Sequence, residues 1–554
     1  MLINRQKLIG IMLTIGAPLL WSSCSMAEKE ANSSDLEIDH VIVIGFDGLS
    51  PDGLQNASTP NFDRLMNEGS YTMHARAVMP TSSSPNWASM IMGAGPEQHG
   101  IMSNAWERDN LILPAVVQHH DFLFPTIFHL VDKQIANAEI GAIYHWGGFG
   151  RLFEKDAVDF DQNTVTEEET ASVASAYIIE KKPNFTFVHF DHVDHAGHEF
   201  GHGTSEYYAS VEKADTLLAK VLQAVNTAGI ADRTLIIISA DHGGLGKGHG
   251  GETLKEIEIP FIIWGKSIKQ NYKLVHPVYQ YDNAATVAFA LGVHTPEAWI
   301  GRPVKNAFKG FESVDAYQFI EQLKEPIIYP KAEGYKKAGG LFDEEVTVVI
   351  ENPNTRGELR YTLDGTMPSS SSELASGSVK INTNMVLKSA VFNAGKMNSL
   401  VAESYFRIKP KNSKKPVRYE LFYLQNLSNI PSLASRIPDA TGACFEIGSE
   451  EIKDLIKEHT VVRFRAKMKI DQVDTYTFFL RSDDGSKLLV DGQVVVDNDG
   501  DHGVKEADGK IELQSGEHDL EVIWFNGGGG SWLDVYIESL NMPKQILPTT
   551  LLNS

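Results

Sequence analysis

The chain changes its hydrophobic rhythm near its middle. Up to about residue 325, short apolar runs alternate with longer stretches of helical period, and beyond residue 340 the helical period fades. In the first half the runs at 40–46 (HVIVIGF), 139–146 (EIGAIYHW), 184–190 (NFTFVHF), 234–240 (TLIIISA) and 260–265 (PFIIWG) are rich in Val, Ile and Phe. Continuous apolar runs of this length, each followed by a turn, are the pattern of parallel strands buried on both faces. Between them, 59–69, 167–182 and 205–229 carry apolar residues at helical spacing. Strands alternating with helices predict an α/β domain over 38–325, its sheet mostly parallel and its helices on both faces. Beyond it the strands are broken by Asp364-Gly365, Asp484-Gly485, Asp491-Gly492 and 527–530, with one short helix expected near 449–458. That half is expected to form two all-β sandwich modules, 340–408 and 416–546.

The N-terminus follows a different logic. Arg5 and Lys7 precede an apolar run over 8–20, which is shorter than a bilayer-spanning helix and has the layout of an export signal. The run ends in Leu20-Trp21-Ser22-Ser23-Cys24, which resembles a bacterial lipoprotein cleavage box. Residues 1–23 are therefore expected to be removed, Cys24 to carry lipid, and the polar stretch 24–37 to act as a tether. The expected location is outside the cytoplasm, held to a bacterial membrane by lipid alone, with plain secretion as the alternative.

Composition narrows the function. A chain of 554 residues with 42% hydrophobic and 22% charged residues is a soluble multidomain protein, not a disordered, fibrous or polytopic membrane one. Its net charge of −23 repels phosphate backbones, so no nucleic-acid binding is expected, and a small anionic substrate would need local cations. Cys24 and Cys444, the only cysteines, cannot form a disulfide framework.

Chemistry is expected at the carboxyl ends of the strands, where sites form in open parallel sheets. Asp47 follows the first run, Asp191 and Asp194 the third, and Asp241-His242 the fourth. Carboxylates and imidazoles from several strand ends supply the mixed O/N donors that zinc accepts. The segment Pro80-Thr81-Ser82-Ser83-Ser84-Pro85-Asn86 is expected to open a helix with Ser84 as N-cap and Pro85 first, its amides facing an anion.

These motifs, over about residues 38–310, resemble the alkaline phosphatase superfamily, and within it the nucleotide pyrophosphatase/phosphodiesterase branch. Phe46-Asp47-Gly48, PTSSSPN at 80–86, His99-Gly100-Ile101-Met102-Ser103-Asn104, Asp194-His195-Ala196-Gly197-His198 and Asp241-His242-Gly243 each match a family motif. The resemblance implies Ser83 as nucleophile and Asn104 as donor to the transferring phosphoryl group. It implies two zinc ions, replaceable by manganese or another divalent metal. One would be held by Asp194, His198 and His249, the other by Asp47, Asp241, His242 and Ser83. It further implies hydrolysis of a phosphate ester through a phosphoserine. Three departures stand out. Asp191 and His195 are also spaced four apart and offer a second register for the carboxylate–imidazole pair. His249 comes only seven residues after His242, without the family's long insertion. Trp87 stands where the family has histidine.

Related activities of the superfamily remain open: phosphomonoesterase, phosphonate hydrolase and sulfatase, the last disfavoured because Trp87 replaces the arginine of the formylglycine segment. The segment YHWGGFGRLF at 144–153 reads equally as a substrate wall or as packing aromatics. In the β half, 357–368 resembles the C-terminal module of chitobiases. Residues about 418–541 resemble the sandwich of anthrax protective antigen, which implies calcium at Asp483 and Asp484 and a glycan partner; the bland alternative is that both aspartates cap a turn. A reading from another class is a glycan-binding surface lipoprotein whose first domain has lost its activity.

Overall fold

The apolar runs do become the strands of one central sheet. In the computed structural model, which describes residues 36–118, 122–312, 317–319, 323–409 and 414–553, its strands are β1 (His40–Phe46), β2 (Ser70–Arg76), β3 (Ile140–Tyr144), β4 (Phe160–Asn163), β5 (Phe185–Phe190), β6 (Thr234–Ser239), β7 (Glu258–Trp264) and β8 (Tyr272–Lys273). The expected signal at 1–23 and Cys24 lie outside the described residues, and among these no helix is long and apolar enough to cross a membrane. The strands run in the order β4-β3-β5-β1-β6-β7-β2-β8. β4, β3, β5, β1 and β6 are parallel neighbours; the inner four are buried on both faces, as their apolar sequences require, while β4 is an exposed edge strand.

One strand departs from the expectation. PFIIWG forms β7, which pairs antiparallel with both β6 and β2. A buried apolar run carries no mark of direction, since either orientation buries the same side chains; the short excursion from β6 back through α9 (Leu254–Ile257) decides it.

The helices are α1 (Pro51–Asn56), α2 (Pro60–Glu68), α3 (Ser83–Met92), α4 (Pro96–His99), α5 (Ile127–Gln134), α6 (Glu167–Lys181), α7 (His192–Phe200) and α8 (Ser205–Thr227), ahead of α9 and α10 (Asp282–Leu291). α6 and α8 follow the periodic stretches and are capped by Thr166 and Thr204, whose hydroxyls accept from the amides of Glu169 and Tyr207. α3 starts two residues earlier than expected: Ser82 is its N-cap and makes no side-chain cap bond. The domain core is aromatic where strands meet helices, with Phe128, Phe149, Phe153, Phe185 and Phe187 buried together. Each such side chain contributes roughly 2–3 kcal/mol on leaving water, so the scaffold under the strand ends is rigid.

The β half contains the expected sheets. Ile327–Tyr329, Val346–Glu351 and Ser378–Ile381 form one three-stranded sheet, facing a larger one built around Met385–Asn393 and Ala402–Ile408. The last module packs a seven-stranded sheet against a four-stranded one over Trp524, Phe464, Phe478 and Leu488. The short helix expected near 449–458 is a 3-10 turn, Glu450–Leu455. Cys444 is buried and has no disulfide partner among the described residues.

Candidate metal centre and active site

Register brings the acidic residues together. Phe46 lies opposite Phe190 and Gly45 opposite both His189 and Ser239, so Asp47, Asp191 and Asp241 leave three adjacent parallel strands at one level. The amide of Asp47 donates to the carbonyl of Phe190 at 2.8 Å, extending the ladder past the strand end. Asp194 arrives from the first turn of α7, a helix absent from the sequence reading, and His198 follows one turn later on the same face. Gly48, at φ +69°, is needed here, because a Cβ would sit 2.8 Å from the Asp194 backbone.

The donor atoms converge. His242 Nε2 is 3.1 Å from Asp241 Oδ2 and 3.4 Å from Asp47 Oδ1, while His198 Nε2 is 3.2 Å from Asp194 Oδ2 and 3.2 Å from His249 Nε2. Asp194 with His242 and His249, and Asp47 with Asp241 and His242, are each compact enough to hold an ion, and since His242 is common to both, its one site-facing nitrogen can serve only one of them at a time. The loop 243–250 returns the chain tightly: Leu245 and Gly248 close on each other, and Gly246 and Gly250 take positive φ. It is then tied to the serine segment, since His249 Nδ1 donates to the Thr81 carbonyl at 2.9 Å and the Gly250 amide to Thr81 Oγ1 at 3.0 Å.

Three observations fit this donor set to metal ions. His198, His242 and His249 each spend Nδ1 on a backbone carbonyl, of Lys247, Gly243 and Thr81, which can only accept; Nε2 of each ring is thereby turned to the site. Asp47 Oδ1, Asp194 Oδ1, Asp241 Oδ2 and His242 Nε2 are buried without a hydrogen-bond partner among the described residues, an uncommon concentration of orphan polar atoms. Finally, the carboxylates crowd one another. Burial, with the charges of Asp47 and Asp194, drives the Asp241 carboxyl well above its usual range; burial also opposes the Asp194 charge, but the His249, His198 and His242 rings outweigh it and hold Asp194 low. The hydrogen bond to Asp194 likewise raises His198 to about 9.

The serine segment is held between the two groups. Thr81 contacts His249 from one end, and Trp87, one turn into α3, donates Nε1 to Asp47 Oδ2 at 3.0 Å from the other. Ser83, the first residue of α3, lies between these anchors and is 6% exposed. Asn104 is brought to the same helix start, its Oδ1 accepting from the Ser84 amide at 2.7 Å, which leaves its amide group free to donate. Trp87 is thus accommodated by Gly45, where a Cβ would lie 2.5 Å from the indole.

Sequence reasoning missed two residues here. His189 points a buried ring at Asp47, with Nε2 3.5 Å from Oδ2. Arg151, in the segment 144–153, donates from Nη2 to Ser84 Oγ at 3.2 Å and to the Asn104 carbonyl, while Nη1 pairs with Glu107 at 2.5 Å. That segment divides its labour: Phe149, Leu152 and Phe153 are core, whereas Trp146 and Arg151 stay partly exposed, the guanidinium 5.8 Å from the Trp146 ring centroid. Nothing in the local pattern separates Arg151 from other loop cations; its role depends on a contact across 67 residues.

The first half is thus an α/β domain with a carboxylate–imidazole centre at its strand ends. Residues 41–246 match the family model described as type I phosphodiesterase / nucleotide pyrophosphatase, 337–403 match the chitobiase/beta-hexosaminidase C-terminal domain, and 415–550 match the PA14 domain. The chain accordingly carries a phosphodiesterase/nucleotide pyrophosphatase domain followed by these two β modules. Among similar curated proteins, bis(5'-adenosyl)-triphosphatase of Mus musculus is 24% identical over 236 residues, covering 41% of this chain and 51% of the relative. Venom phosphodiesterase CdcPDE of Crotalus durissus collilineatus is 24% identical over 242 residues, 40% of this chain and 28% of the relative. The chain spans about half the length of the first of these and less of the second. Human ectonucleotide pyrophosphatase / phosphodiesterase 5 is a solved structure covering 49% of this chain and all of its own, at 16% identity and a TM-score of 0.43. His249 falls beyond the matched residues of the family model, so its place in the site rests on the geometry of the 243–250 turn.

Proposed function

We propose that the protein is a phosphoric diester or anhydride hydrolase of the nucleotide pyrophosphatase type, with Ser83 as nucleophile. The observation that carries this reading is the convergence of Asp47, Asp194, Asp241, His198, His242 and His249 around orphan donor atoms, beside a helix that begins at Ser83. Asp194, His198 and His249 would hold one divalent cation, zinc by its donor set, and Asp47, Asp241 and His242, with Ser83, the other. Such a pair lowers the pKa of a bound oxygen and stabilises charge on both attacking and leaving oxygens. Ser83 presents its hydroxyl at the amino end of α3; Asn104 and the adjacent amides donate to the oxygens that gain charge in the transition state. Trp87 and Thr81 keep Asp47 and His249 oriented, and the rings around Trp87 exclude water from the Asp47 side.

A second reading, phosphomonoester hydrolysis, is favoured by Arg151, because a guanidinium beside Asn104 and Ser84 adds the positive charge that a dianionic phosphoryl group needs. Bis(p-nitrophenyl) phosphate, p-nitrophenyl phosphate, p-nitrophenyl sulfate and a dinucleoside triphosphate, compared as kcat/KM, decide between them. Diester or anhydride turnover at least about tenfold above the monoester supports the first reading; the reverse order supports the second, and Arg151→Gln should then lower the monoester rate more than the diester rate. Sulfate turnover above both would refute the assignment to phosphate chemistry.

The chain is proposed to be exported and anchored through lipid on Cys24. Wild-type protein should sediment with membranes and Cys24→Ser should not; equal recovery of both in the soluble fraction refutes the anchor.

Calcium and glycan binding by the last module are proposed on Asp483 and Asp484. Asp484 accepts from the amides of His502 and Gly527 at 3.0 and 2.6 Å, and burial, with the charges of Asp484 and Asp501, pushes Asp483 up to about 7. The folded module then keeps a proton that the unfolded chain releases near pH ~3.9, so stability falls as pH rises from about 4 to about 7. A bound calcium removes that penalty. Calcium should therefore raise the unfolding temperature by a few degrees at pH 8 and by little at pH 5; the same small shift at both would support turn caps without a cation.

A further inference from the structure

Asp191 and His195, the second register that the motif offered, are left unused by the two-cation reading, and so is His189. The three lie together beside Asp47. His189 is the penultimate residue of β5, two residues before Asp191, so both side chains leave the chain on one face. Register sets Asp191 level with Asp47 on the neighbouring strand, since Phe190 and Phe46 pair directly.

His189 is the anomaly. It is fully buried among Trp87, Phe149 and Trp146, at ring-centroid distances of 4.7, 5.6 and 6.4 Å, and among the described residues neither ring nitrogen has a hydrogen-bond partner. Buried imidazole nitrogens are normally satisfied, because one left bare keeps the full cost of having lost its water. Nε2 faces Asp47 Oδ2 at 3.5 Å, too long for a good hydrogen bond but the separation expected of two ligands sharing an ion at ~2.0–2.2 Å. Asp191 completes the group: its side chain is 9% exposed, and donor atoms of Asp47, His189 and Asp191 lie within 4.8 Å of one another. Asp47 divides its oxygens between the groups, Oδ1 towards His242 and Oδ2 towards His189. On the outer side, His195 Nε2 pairs with Asp191 Oδ2 at 2.9 Å and is 64% exposed, so solvent reaches the rim.

We propose that Asp47, His189 and Asp191 bind a further divalent cation, separate from the two assigned above and sharing only Asp47 with them. Two carboxylates and one imidazole, with water completing the shell from the His195 side, suit zinc or manganese. The physical return is electrostatic. Asp47, Asp191, Asp194 and Asp241 crowd one strand end, and a third ion offsets the charge that two divalent ions leave unbalanced once an anionic substrate enters.

The test is metal stoichiometry of the full-length protein by plasma mass spectrometry, after equilibration with buffered zinc or, separately, manganese. Wild type should hold about three ions per chain, and His189→Leu and Asp191→Asn about two each. Combining either with His249→Ala should remove one ion more, because the sites are separate. Equal counts in wild type and both variants would overturn the proposal and leave His189 as a long hydrogen-bond partner of Asp47. Should His189→Leu fail to fold, as circular dichroism would show, Asp191→Asn alone decides, since that residue sits at the edge of the core. The readout does not involve hydrolysis: a chain that loses one ion on Asp191→Asn yet cleaves no phosphate ester would retain this site and refute the proposed function, and the opposite pair of results would do the reverse.

Discussion

His249→Ala is expected to cost the protein one divalent ion and most of its hydrolytic activity, while leaving the fold intact. The ring is largely buried, stacked on His242 and hydrogen-bonded to the Thr81 carbonyl, but it lies on a loop outside the sheet, so the substitution should destabilise the metal-free protein by about 1–2 kcal/mol without unfolding it. Its loss is local but chemically severe. His249 Nε2 faces His198 Nε2 at 3.2 Å and Asp194 Oδ1 at 3.9 Å, and its Nδ1 is anchored on Thr81. On the proposed assignment, removing it would take one of three protein ligands from that ion and also loosen the serine segment. Even the loss of an outer-shell partner typically costs about 10–100-fold in metal affinity, so a missing ligand should cost more. Metal content per chain and kcat/KM on a diester are the measurements. His276 and His294 serve as controls: among the described contacts the His276 ring meets the Tyr317 carbonyl and the His294 backbone meets the Gln134 side chain, none of them a residue of the metal centre, and their alanine variants should keep every ion. A His249→Ala protein with full metal content, or a His276→Ala protein that loses an ion, would place the ligand elsewhere.

Ser83→Ala should have the larger effect on turnover and the smaller one on metal. A nucleophile between two cations carries the covalent step, and its removal in comparable systems costs on the order of 10³-fold or more. In the proposed site the side chain would add one oxygen to donors from Asp47, Asp241 and His242, so metal content should change little. Ser82 and Ser84 flank it, but their surroundings differ: Ser82 precedes α3 as N-cap, and Ser84 Oγ is engaged by Arg151. Rapid mixing with a chromogenic diester should give a burst in wild type and none in the variant. Near-normal turnover by Ser83→Ala, with the loss transferred to Ser82→Ala or Ser84→Ala, would move the nucleophile within the segment.

Much of this architecture was legible in the residues alone, because its signals are local. Runs such as HVIVIGF and TLIIISA announce buried strands by composition, and the helical spacing of 167–182 and 205–229 announces the helices that cover them. The position of Asp47 and Asp241 just past two such runs, with the Ser-rich turn at 80–86, already directed attention to one end of the sheet. The β half was legible for the same reason, from turns at Asp-Gly and Gly-rich points.

What tertiary structure decided is of another kind, since it depends on pairing between distant segments. Direction is invisible in a uniformly apolar run, and β7 turned antiparallel. Helix α7 was hidden because its residues His192–Phe200 are chosen for chemistry and break the apolar period. Register alone made Asp191 a neighbour of Asp47, and the aromatic box around His189 exists only once Trp87, Trp146 and Phe149 are folded against one strand end. Arg151 reaches the serine helix through a single long-range contact, and His249 reaches the strand ends because four glycines let seven residues turn back on themselves. The residues by themselves named the strand-end carboxylates; which side chains would meet them, at what distance and with which nitrogen free, was left to the sheet that brought those strand ends level.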